Sequence, residues 1–258
     1  YQVSTNGAVA IDGVKNNVYG SSAVRTALTS LIQQGSTQTL ENEYTRVTTR
    51  AVTAESQITS GLSAVTLATP FPNNNSLANQ MKMVARLIGA RSALGSKRQV
   101  FMVSLGGFDL HDNLINGQAT LMTRLSTALT AFYEATAALG IADKVTTFTA
   151  SDFGRTLTSN GDGSDHGWGS HHFMVGGAVQ GKAFYGKAPP VSVGNSTTDA
   201  NDQWHVGQGR LLPSTSVDQY AGTMATWFGV QGTEMNAILP NLANFNSADY
   251  PRDMGFML

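Results

Sequence analysis

Cysteine is absent from all 258 residues, which excludes disulfides, zinc–thiolate centres and a thiol nucleophile. Charge is scarce as well. Only 13% of residues are Asp, Glu, Lys or Arg, against about a quarter in an ordinary soluble chain. The net charge is -1 and no run is rich in Lys or Arg, so a nucleic-acid surface built on charge is excluded. No apolar stretch approaches the roughly 20 residues that cross a bilayer. Ser, Thr, Asn and Gln take over the surface, and that charge-poor, hydroxyl- and amide-rich character points to export, into a periplasmic or extracellular setting. The first residue is not Met, and Tyr1-Gln2-Val3-Ser4 reads like the middle of a strand. The expectation is therefore the C-terminal part of a longer protein.

What is present is 41% hydrophobic residues, enough for one substantial core, with no linker or repeat; one α/β domain spanning 1–258 is expected. Residues 1–20 carry turn signals at Asn6-Gly7 and Asp12-Gly13, the pattern of a β-hairpin. A helical pattern follows from Ser21 to Thr66: Val24, Leu28, Leu31 and Ile32 share a face, and Tyr44, Val47 and Ala51 share another. After a Pro- and Asn-rich loop at 70–75, Ser76 opens an amphipathic helix over 77–93 with Met81, Val84, Ala85 and Ile88 inward, closed by Gly95. The run Gln99 to Leu105 is continuously apolar and β-branched, which predicts a buried, parallel strand. A helix over 121–139 carries Leu125, Leu129, Phe132 and Ala135. Lys144 to Thr149 predicts the next strand, completing a right-handed βαβ unit. A third strand is predicted at 173–179 and a late helix at 218–228.

In open α/β sheets, chemistry gathers beyond the carboxyl ends of the strands. Both predicted central strands end in acidic loops. The first is Gly106-Gly107-Phe108-Asp109-Leu110-His111-Asp112, the second Ala150-Ser151-Asp152-Phe153-Gly154-Arg155. A glycine-rich loop from Asn160 then carries Asp165, His166, His171 and His172. Four of the five His residues lie in these loops; the fifth, His205, sits beside Asp202 and Trp204. Converging carboxylates repel one another unless a cation lies between them, and carboxylates with imidazoles are ligands for zinc, manganese, magnesium or calcium. Plainer readings stand beside this one. Asp109 could accept backbone N–H bonds within its loop, and Ser151 or Asp152 could cap a helix. Arg155 could pair with a neighbouring carboxylate, and His205 could be a satisfied polar contact. Of His171 and His172, at most one faces inward, and Trp168 could simply pack.

The motifs 98–111 (RQVFMVSLGGFDLH), 151–156 (SDFGRT) and 165–169 (DHGWG), followed by 209–213 (GRLLP), 218–220 (DQY), 227–230 (WFGV) and 239–242 (LPNL), resemble an exported bacterial family, domain of unknown function 1501. That family is related to alkaline phosphatases and sulfatases. The resemblance covers about residues 77–245 and implies an alkaline-phosphatase-like fold: a mixed, mainly parallel sheet with helices on both faces, holding two metals. On that resemblance Asp109 and His111 would bind one ion and Asp152 another, and His166 would return to the first. Phe153 departs from the pattern, standing where relatives carry a metal-binding His. The superfamily's nucleophile and first metal-binding Asp match nothing in this chain.

The expected site set is therefore Asp109, His111, Asp152, Asp165, His166 and His171 as metal ligands. Arg155 is the catalytic candidate, steadying an anionic oxygen. The expected function is metal-dependent hydrolysis of a phosphate- or sulfate-type ester. The rival is a catalytically silent exported structural or binding protein, with a homo-oligomer or a protein partner in view, and a third reading is glycan recognition through Trp168 and Trp204.

Overall fold

The Asn6-Gly7 signal closes a short antiparallel hairpin, β1 (Val3–Ser4) with β2 (Gly7–Ala8), in which Val3 faces Ala8. The structure, a computed structural model, describes residues 3–258. The strand reading of Tyr1-Gln2 lies outside those residues. The chain divides into two compact units, 1–103 and 104–258.

The first unit is helical beyond its hairpin. Helix α1 (Ser22–Ile32) begins where the Ser21 hydroxyl accepts from Val24 N, 3.3 Å away. Helix α2 (Thr39–Ser63) runs 25 residues, about 37 Å at 1.5 Å per residue. Helix α3 (Ser76–Gly89) is capped one residue earlier than the sequence suggests: the Asn75 carboxamide accepts from Ala78 N. Met81, Ala85 and Ile88 are buried as the periodicity predicts. Leu62 of α2 packs with Met83 and Leu87 of α3, ringed by Val3, Ile58, Leu94 and Phe101.

In the second unit, α4 (Leu114–Ala138) starts seven residues earlier than the periodicity alone shows. It buries Leu121, Ala128, Leu129, Phe132 and Ala135 along one stripe. A 3-10 turn at Ala142–Lys144 leads into β3 (Thr146–Phe148). Then come β4 (Gly154–Ser159), β5 (Ser164–Gly167) and β6 (Met174–Gly176). Helix α5 (Val217–Phe228) opens on a capping box in which Ser216 and Gln219 satisfy each other's backbone N–H, and ends at Gly229 with φ 99°. Helix α6 (Gly232–Ile238) and a 3-10 turn at Pro240–Asn244 pack on α5.

The predicted alkaline-phosphatase-like parallel sheet is not what forms. Among the described residues every ladder is antiparallel and two-stranded: β1 with β2, β3 with β6, and β4 with β5. Residues 99–105 join no strand, and Val100 and Met102 are 81% and 95% exposed. A continuous apolar run reports extended preference, but a buried parallel strand also needs neighbours on both edges. The expected βαβ unit fails for the same reason, because α4 leads into a strand with no parallel partner. The stretch between β3 and β6 holds a hairpin rather than a crossover helix, and the two strands meet antiparallel. No helix among the described residues is long and apolar enough to cross a membrane.

Candidate metal centre

The site is assembled on the β4–β5 hairpin. Gly154 opposes Gly167, Arg155 opposes His166, and Ser159 opposes Ser164, with a register shift between Arg155 and Ser159. Opposed residues project to the same face of a ladder, which puts the Arg155 guanidinium beside the His166 imidazole. The glycines let this ladder lie against other backbone. A Cβ on Gly167 would fall 2.5 Å from the Arg155 carbonyl oxygen, and one on Gly154 would fall 2.0 Å from that of Gly169.

The loop carrying Asp109 and His111 is tied onto this hairpin. Gly107 adopts φ 99°, where an L side chain would be strained, and Ser164 N donates to the Leu110 carbonyl at 3.2 Å. The His111 backbone rests on Gly163, where a Cβ would sit 2.2 Å from the His111 carbonyl. Asp162 finishes the attachment at the start of α4. Its carboxylate accepts from Asn113 N and its carbonyl from Leu114 N, both at 3.0 Å. Those N–H groups are among the orphans of a helix N-terminus.

Three donor atoms converge as a result. Asp109 Oδ1 lies 3.1 Å from both His111 Nε2 and His166 Nε2, and the two Nε2 atoms are 3.2 Å apart. Asp109, His111 and His166 are the one group of this kind among the described residues. Their side chains stay 48%, 45% and 56% exposed, so the centre opens to solvent. Nitrogen and oxygen ligands about 2.0–2.1 Å from a zinc-like ion lie about 3 Å from one another in tetrahedral or octahedral arrangements. The observed triangle fits that span.

The surroundings fix each member. Arg155 donates to Asp109 Oδ1, to the Leu110 carbonyl at 2.9 Å, and to both the hydroxyl (3.0 Å) and the carbonyl of Ser164. Desolvation works against ionising Asp109. The hydrogen bonds from Arg155 and His166, with the charges of both imidazoles, outweigh it and hold the carboxyl below its usual range. The Phe153 ring lies against that of His166, centroids 4.2 Å apart.

The six predicted ligands are thus placed unequally. Asp109, His111 and His166 meet. Asp165 stands beside them, its Oδ1 3.4 Å from His111 Nδ1 and accepting from Asn160 Nδ2 at 3.1 Å. Asp152 and His171 are exposed and outside the group. His172 turns elsewhere, its ring stacked on Tyr220 and its Nδ1 3.3 Å from the Thr149 hydroxyl. His205 is buried in a bridge with Leu211, and neither ring nitrogen has a partner among the described residues. Sequence reasoning missed Asp162 and Arg210. Asp162 lies in the glycine-rich turn Asn160-Gly161-Asp162-Gly163; Arg210 lies 44 residues from His166, whose carbonyl accepts from its Nε at 3.1 Å.

Comparison with known families now bears on this geometry. The model of the family described as protein of unknown function (DUF1501) matches residues 16–237. The chain belongs to the DUF1501 family. No curated protein and no solved structure matches it. The stretch matched to DUF1501 contains all of the converging residues together with Arg155, Asp162 and Arg210.

Proposed function

We propose that this chain is a metal-dependent hydrolase of anionic phosphate- or sulfate-type esters, with Asp109, His111 and His166 holding one divalent ion. The convergence of a carboxylate oxygen and two imidazole nitrogens at 3.1–3.2 Å carries the reading. Two imidazoles in the set favour zinc over magnesium or calcium, which prefer all-oxygen surroundings. Three protein ligands on an open surface are the pattern of a catalytic centre, whereas structural zinc sites are closed by four. Such an ion supplies Lewis-acid polarisation of an ester oxygen and acidifies a water.

The chain's own groups do the rest. Arg155 keeps a fixed positive charge beside Asp109, where the anionic oxygen of a substrate would be steadied. Asp165 faces the far nitrogen of His111, the position from which a carboxylate orients an imidazole ligand. Phe153 covers one face of the His166 ring. The silent-protein reading has one observation in its favour: the Arg155 donors are already spent on Asp109, Leu110 and Ser164.

The test is metal content by mass spectrometry, alongside hydrolysis of p-nitrophenyl phosphate and p-nitrophenyl sulfate. We expect about one equivalent of divalent ion per chain and turnover of at least one ester, both lost in Asp109→Asn and in His166→Ala. Ion without turnover would leave the silent reading standing. Native protein that takes up no ion from zinc or manganese buffer would end the metal reading altogether.

A further inference from the structure

Helix α2 carries a single apolar stripe that the fold uses along only half its length. Leu40, Tyr44, Val47, Ala51, Ala54 and Ile58 follow one another at spacings of four and three, the heptad pattern of a coiled-coil seam. At its C-terminal end the stripe is consumed: Ile58 packs on the cluster of Leu62, Met83 and Leu87. At its N-terminal end it is bare, with Leu40, Tyr44 and Val47 exposed at 86%, 72% and 48%. Leu31, at the end of α1, is 65% exposed and lines a groove with Leu40 and Tyr44. Contiguous exposed apolar surface of this kind marks an interaction face.

The residues flanking the stripe say what fits it. Glu43 and Arg50 stand on the same flank, two turns apart and 3.6 Å from each other within the chain, where Glu43 also accepts from Arg46 at 2.7 Å. Two copies of α2 laid antiparallel across a two-fold axis would bring Glu43 of each against Arg50 of the other. The same register sets Leu40 opposite Ala51 and Tyr44 opposite Val47, so large side chains meet small ones. On the other flank Thr48 is buried within its own chain, so Glu41 meets no like charge there. A parallel arrangement lacks this fit. It stacks Tyr44 on Tyr44 and Leu40 on Leu40, and it needs Glu55 for Arg50, yet the Glu55 side chain is only 12% exposed.

We propose that the bare half of the α2 stripe is where two copies of this chain associate, antiparallel, through symmetric Glu43–Arg50 pairs. The self-complementarity is that of an isologous interface.

Sedimentation of the whole chain from about 1 to about 100 µM should show a concentration-dependent monomer–dimer equilibrium. Arg50→Glu should weaken the dimer about tenfold or more by placing like charges together twice. The double exchange Glu43→Arg with Arg50→Glu should restore it, and unchanged circular dichroism shows that each variant keeps its helices. Because the chain has no cysteine, direction can be read by cross-linking. An equimolar mixture of Leu40→Cys and Ala51→Cys proteins should oxidise to a linked dimer, and neither should do so alone. A monomer at every concentration would overturn the proposal, as would a double exchange no better than Arg50→Glu, or Leu40→Cys linking to itself. The monomer outcome would assign the stripe to cover from elsewhere in its own chain or from a different partner.

Discussion

Two acidic loops that look alike in the sequence, 106–112 and 150–155, end in different surroundings. The first is stitched to the β4–β5 hairpin by the Leu110–Ser164 backbone bond, by the seat of His111 on Gly163, and by Asp162 at the start of α4. Its carboxylate is thereby delivered to two imidazoles and a guanidinium. The second runs into β4, so Phe153 and Arg155 reach the centre, but Asp152 faces solvent beside the bond from the Ser151 hydroxyl to the Phe153 carbonyl at 3.0 Å. An acidic residue becomes part of a centre when neighbouring backbone holds its loop against the other ligands. Being at the end of a predicted strand is not enough.

The sharpest way to break this comparison is to truncate the two carboxylates in turn. Asp109→Ala should weaken zinc or manganese binding by at least about 100-fold, as loss of a direct ligand does more than loss of its supporting partners. Asp152→Ala should change it less than about twofold. Calorimetric titration decides, and equal effects would erase the distinction. A second, smaller effect probes the stitching. Gly167→Ala forces a methyl against the Arg155 carbonyl and should cost about 1–3 kcal/mol. Gly106→Ala meets open space at an ordinary φ and should be nearly neutral. Thermal melts should separate the two by about 2–4 °C per kcal/mol, and coincident melts would show that the close approach relaxes freely.

The smallest expected effect concerns His172, one of the histidines outside the converging group. Desolvation, helped by the charge of His171, holds it below the ordinary histidine value. A folded value below the unfolded one means that the unfolded chain takes up the proton first as pH falls. Stability is therefore full above about pH 6.5 and declines below it. His172→Gln should flatten that acid-side decline by at most about 2 °C in Tm. An unchanged slope would place the sensitivity on other groups.

The sequence was most readable where a segment carries its own period. The stripes of α3 and α4, the late helix α5 and the Asn6-Gly7 hairpin are local signals, and the structure keeps them. It was least readable where pairing decides the outcome. The apolar run 99–105 and the strand predicted at 144–149 promised a parallel sheet, but partner choice is a non-local property that composition does not encode. The centre was half legible for the same reason. Asp109, His111 and His166 stood out as residues of the right chemistry. That Arg155 would oppose His166 follows from a hairpin register with a shift in it, and that Asp162 would clasp α4 follows from a contact 49 residues away in sequence.

That separation has a consequence of its own. Asp109 and His166 are 57 residues apart, and what joins them directly is a contact of side chains open to water. An ion seated between them would close that loop in the folded chain. It would also bind only the folded form, adding about 2.7 kcal/mol at a free concentration 100 times its Kd. In a protein with no cysteine, the metal would then serve as a removable cross-link, and the fold's resistance to heat would be set by the ion supply of its surroundings.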